Sequence, residues 1–160
     1  MGAGAPVSRR RLLGALGAVA LAAPRSGTAR DYTSAAEVLD EIDRLAAEVE
    51  ARLAAMVAVV PASGALADSV GRACTRHRAD RAALRERLGV GPPRAPVVPE
   101  VDADLGTLRA VLQDLVHAHA EGLPAFGDAR AVNLLARHMV LGAQHLTVVD
   151  LWLEAEAGRG

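Results

Sequence analysis

Four of the five histidines in this 160-residue chain, His77, His119, His138 and His145, fall near the middle of apolar stripes when the sequence is plotted at 100° per residue. An imidazole in an apolar interior can do three kinds of chemistry. It can donate its N–H to a carbonyl, a hydroxyl or another imidazole and so order the core, because an unpaired buried polar group costs about 1–3 kcal/mol. As a neutral ligand it can bind a transition metal such as Fe, Zn, Cu or Ni. It can also serve as an axial ligand to a b-type haem. For a metal site the four histidines are the candidate ligands, and Glu41 or Glu48 would complete the set only if the first helix rotated. Haem is the weakest reading. There is no Cys-x-x-Cys-His, and one Trp, one Tyr and one Phe offer little to line a pocket. His117, with Asp114 and Glu121 near it, reads as part of a solvated face.

No other constellation competes. No nucleophile–base pair, Gly-rich phosphate loop or paired catalytic carboxylates stand out, so no catalytic residue is assigned and enzymatic activity is not expected. Ser69 and Thr75 lie near His77 in sequence, but a helix does not aim them at it, and surface or capping hydroxyls are the preferred reading. Cys74 is the single cysteine, so neither an internal disulfide nor a cysteine-only metal cage can form, and it reads as a free structural thiol.

The elements that must position the histidines are helical. The chain is 51% hydrophobic but 2% aromatic, a composition of Ala, Leu and Val that suits close-packed helices better than a sheet. Ser34-Ala-Ala-Glu37 has capping-box spacing and opens a first helix, whose stripe is Val38, Ile42, Leu45, Val49, Leu53 and Met56 and which Pro61 ends. Ser63 is expected to cap a second, with Leu66, Val70, His77, Leu84 and Leu88 inward, Arg72, Arg76, Arg78, Arg85 and Arg87 outward, and Gly89 closing it. Asp102 is expected to cap a third, carrying Leu105, Leu108, Leu112, Leu115, Val116 and His119. Asp128 is expected to cap a fourth, whose stripe is Leu134, Leu141, Val148, Val149 and Trp152 with His138 and His145 at its centre.

Between the second and third helices runs GVGPPRAPVVPEV, residues 89–101, whose prolines and glycines exclude regular structure. Extended, it reaches about 43 Å. A helix of roughly 25 residues is about 37 Å long. The segment can therefore cross a whole bundle. Counted from the helix ends, His77 and His138 come to one height. His119 joins them within about two turns only if that crossing occurs, and His145 lies about 10 Å further along.

Residues 1–29 carry Arg9, Arg10, Arg11 and Arg25 and no acid, so their removal would make the remaining domain, residues 30–160, more acidic than the formal −1 of the whole chain. Such a domain, nearly free of aromatics, is a poor nucleic-acid binder. A basic cluster followed by a short apolar run is signal-peptide anatomy, too short for a membrane span. Ser8-Arg9-Arg10-Arg11-Leu12-Leu13 resembles the twin-arginine export motif, with Leu12 where that family usually has Phe. The resemblance implies the twin-arginine machinery as partner, a periplasmic or extracytoplasmic location and cleavage after Ala22 or Ala29.

Helical hairpin, long crossover, helical hairpin is the layout of ferritin-like bundles, and His77-Arg-Ala-Asp-Arg-Ala-Ala-Leu84 before a Pro-rich crossover resembles the second helix of small exported bacterial ferritin-like proteins. The likeness covers Ser34 to Glu156 in architecture and about a dozen residues in wording. It implies an all-α, ferritin-like four-helix bundle. The di-iron ligands do not carry over. That family uses a Glu on each of two helices and Glu-x-x-His on each of the others. Here Cys74, Leu135 and Gly142 stand three before His77, His138 and His145, and the one carboxylate-x-x-His, Asp114 to His117, projects from the polar side. The expected protein is an exported bundle with at most a histidine-based metal site and no di-iron oxidase activity, or a metal-free structural or interaction bundle. Homo-oligomerisation is left open.

Overall fold

The structure, a computed structural model, describes residues 30–60, 63–97, 101 and 103–158. Within them the chain forms four α-helices and no strand: α1 (Ala35–Val59), α2 (Gly64–Leu88), α3 (Leu105–Gly122) and α4 (Ala129–Ala157), with a 3₁₀ turn at Leu123–Ala125. The export segment, residues 1–29, and the expected cap Asp102 lie outside the described residues.

Three of the four helix starts are set by a side-chain cap. Ser34 accepts from the Glu37 N–H at 3.2 Å, while Glu37 accepts from the Thr33 N–H at 2.8 Å, one residue beyond the N-cap N–H that a capping box would use. Asp128 accepts from the Arg130 N–H at 3.0 Å. Two expected caps change. Ser63 has helical backbone and its hydroxyl donates to the Val60 carbonyl at 2.6 Å, so its side chain caps nothing. The third helix is capped by Asp104, whose carboxylate accepts the Thr107 N–H at 2.6 Å and also the Thr107 hydroxyl. A hydroxyl at the third helical position favours Asp104, and Asp102 has no equivalent. Gly89 closes α2 with φ 66°, a left-handed conformation that glycine adopts without penalty.

α1 packs against α2 and α3, α4 packs most closely against α3, and α4 meets α2 over a shorter contact. The α1 stripe is buried as expected, and so is the α3 stripe. α3 is buried far beyond that stripe. Gln113, His117 and Ala118 are also interior, because α3 lies between α1 and α4 and has little face left for solvent. His117, expected on a solvated face, is therefore a buried residue at 6% exposure.

Two further expectations are corrected. Leu134 and Leu141 are half-buried and Val148 is exposed, whereas the buried line of α4 is Ala131, Leu135, His138, Ala143, His145, Leu146 and Val149. The small residues decide this. A Cβ on Gly142 would stand 3.1 Å from Val116, so α3 and α4 approach through small side chains and the largest apolar groups rotate outward. Arg85, expected on the solvated face of α2, is buried with Arg81. Arg81 Nε donates to Asp43 at 2.6 Å, and Arg85 donates to Asp40 at 2.6 Å and to Asp43 at 3.1 Å. Burying a guanidinium requires such partners, and α1 supplies both carboxylates.

Candidate functional site

Three of the four singled-out histidines come together, one from each of α2, α3 and α4. The His77 and His138 rings stack with centroids 3.6 Å apart and planes 15° from parallel. The His119 ring meets His138 edge-on at 5.9 Å and 82°. His119 and His138 are each 3% exposed, and His77 is half-buried at the outer side of the stack. His145, also interior, is near enough to His77 to help lower it but is not part of the ring stack. Among the described residues no ring contact or hydrogen bond joins it to the other three.

Acceptors determine the tautomers. His138 Nε2 lies 3.1 Å from Asp80 Oδ2, and His119 Nδ1 lies 2.7 Å from the Leu115 carbonyl oxygen, four residues back on its own helix. A carboxylate and a carbonyl can only accept, so both of these ring nitrogens carry the proton. In a neutral ring the other nitrogen then holds a bare lone pair. Those two nitrogens, His138 Nδ1 and His119 Nε2, are buried, and among the described residues no group pairs with them.

The rings are neutral for a physical reason. Burial holds His119 down to about 3, against a slight upward pull from its bond to Leu115. Burial, then the neighbouring His138 and Arg81, hold His77 down to about 3. Burial also lowers His138, with Asp80 pulling the other way, and lowers His145. Charging both stacked rings would add repulsion between them at this distance.

Asp80 went unassigned in the sequence, although it follows His77 by three residues and so shares its helical face. That spacing is the signal that finds it. Cys74, a turn before His77, is buried and its thiol is pushed up to about 11 by burial, which makes it inert rather than a thiolate ligand. Glu41 and Glu48 are engaged elsewhere. Glu41 binds Arg44 at 2.8 Å and Arg30 at 3.2 Å, and Glu48 binds Arg52 at 2.8 Å. The residues present therefore do not fit a carboxylate-bridged di-iron centre. Among the described residues, no group of three or more His, Cys, Asp or Glu side chains is arranged as it stands to hold an ion. No described helix is long and apolar enough to cross a membrane. Comparison with protein-family models, curated proteins and solved structures found no match.

Proposed function

We propose that this chain is an exported, ferritin-like four-helix bundle that binds a transition metal at its interior histidines and has no di-iron oxidase activity. The observation that carries the metal reading is the pair of bare nitrogens. His119 and His138 each spend one ring N–H on a protein acceptor and keep a lone pair in a water-poor interior. Metal-ligating histidines have this arrangement, with the remote N–H held by a carboxylate or backbone carbonyl. His77 covers the pair and His145 lies outside it.

Several contacts support the ferritin-like path. Arg85, near the end of α2, pairs with Asp40 near the start of α1. Leu105, at the start of α3, borders a cleft with Met56 and Val60 at the other end of α1. The end of α2 and the start of α3 thus lie at opposite ends of α1, which supports a connection running lengthwise. The meeting of His119 with His138 agrees, since only that path brings them to one height. Export through the twin-arginine route rests on residues 8–13 and is part of the same proposal.

The test is metal analysis of protein purified without tag or chelator, with melting temperature measured on adding Fe, Zn, Cu and Ni. One bound equivalent, or a rise of several degrees with one of these ions, is expected. A metal-free protein whose melting ignores all four refutes the metal reading and leaves the second one, a bundle whose histidines only order the core. The parallel stack of His77 on His138 favours that second reading, because lone pairs in parallel planes do not converge on one ion. Haem has less support. It would have to enter between α3 and α4, which close-pack where Val116 meets Gly142, and a Soret band is not expected.

A further inference from the structure

We infer that a cleft between the end of α2 and the start of α4 binds a phosphate dianion, free or carried as a monoester on a small molecule. Its lining shares no residue with the histidine cluster, so it stands or falls apart from the metal reading.

The cleft has a volume of about 280 Å³ and is lined by Arg87, Arg130, Asn133, Leu134 and Arg137. Arg130, Asn133 and Arg137 follow one another at helical spacing, so the first turns of α4 present all three on one face. Arg87 comes from the last turn of α2 and is held there by Asp128, the α4 cap, at 2.9 Å. Arg130 and Arg137 are exposed and form no ion pair with a described residue, whereas Arg44, Arg52, Arg81, Arg85 and Arg109 each answer a carboxylate. Arg130 also stands in the first turn of α4, at the positive end of the helix dipole, where a cation is disfavoured. Guanidinium groups around one small cleft repel one another, and an anion among them offsets that repulsion.

The lining names the anion. Arg87, Arg130 and Arg137 bring three positive charges and Asp128 brings one negative, which leaves a surplus of two. A phosphate monoester carries about −1.5 to −2 near neutral pH. Guanidinium forks match phosphate oxygens in pairs, and the Asn133 amide supplies a further N–H donor. A carboxylate or a phosphodiester has a single charge and leaves the surplus half answered. No aromatic side chain lines the cleft, so a nucleobase has no platform on which to stack.

The full-length chain is titrated calorimetrically with inorganic phosphate at about pH 8, where phosphate is a dianion, at fixed ionic strength and with acetate as the control anion. One phosphate per chain is expected, bound about tenfold or more tighter than acetate. Arg130→Gln and Arg137→Gln should each weaken it about tenfold or more, because each removes charge-assisted hydrogen bonds. Arg72→Gln combined with Arg76→Gln, two exposed residues nearer the other end of α2, should leave it unchanged. The substituted side chains are exposed, so each variant should keep its helicity and melting temperature. No bound phosphate, wild-type affinity in Arg137→Gln, or an equal loss in the Arg72 and Arg76 double variant overturns the proposal. Phosphatidylglycerol vesicles that bind the chain when inorganic phosphate does not would also overturn it, in favour of a membrane surface.

Discussion

An imidazole with one nitrogen tied and the other bare behaves differently from a solvated one, and the difference is measurable without knowing the ligand. His119 is held down to about 3 in the folded protein, whereas in the unfolded chain it returns to about 6.5. Between those values the unfolded state takes up a proton that the native state refuses. Stability contributed by the neutral ring is thus fully present above about pH 6.5 and is lost as pH falls toward 3, at about 1.4 kcal/mol per pH unit for one fully buried ring. His77 adds to the same slope, discounted because it is half-exposed to solvent. Urea unfolding of metal-free protein should give a flat stability above pH 7 and a steep fall between pH 6 and pH 4. His119→Leu should remove part of that slope. A wild-type profile flat from pH 8 to 4 would contradict the buried neutral cluster.

Close approach of helices rests on a few small residues, and at this scale glycine's lack of a side chain matters more than its backbone freedom. A Cβ on Gly122, in the last turn of α3, would fall 2.3 Å from Val38 Cγ1. Val38 is fully buried and β-branched, so it has no room to yield. Helix propensity alone would make Gly122→Ala stabilising by about 1 kcal/mol, but overpacking costs about 1–3 kcal/mol or more, and at this distance sterics win. The expected outcome is a net loss of about 1–2 kcal/mol in thermal or chemical unfolding, recovered in part by Val38→Ala in the double variant. A stabilised Gly122→Ala protein would show that α1 and α3 are less tightly apposed at this end. The same logic explains the rotated interior of α4. Hydrophobic periodicity ranks residues by size, while the α3–α4 contact selects Gly142 for closeness.

At the scale of the whole molecule, buried charge ties α1 to α2 through Arg81, Arg85, Asp40 and Asp43, and the histidines tie α2, α3 and α4. The proposed export route delivers this bundle already folded, so a metal bound at the cluster would travel with it. Replacing Arg9 and Arg10 together by Lys should stop export of a reporter fused after Ala29, with the precursor retained inside the cell. Export that survives the double change would remove the twin-arginine part of the proposal, whatever the metal analysis shows.

The sequence by itself determined the helices and most of their inward faces, because a 3.6-residue period and a capping side chain are properties of contiguous residues. The burial of Val38 to Met56 and of Leu105 to His119 could be read directly, and so could the shared height of His77 and His138, which depends only on counting along helices. Only the tertiary structure decided what lies across from what. Whether an aspartate two residues away makes the better cap, whether Arg85 finds carboxylates on another helix, which face α4 turns to α3, and whether His119 meets His138 all depend on partners distant in the chain. The tautomers of the two rings belong to the same class. Asp80 is 58 residues from His138, and its bond to Nε2 is what leaves Nδ1 bare.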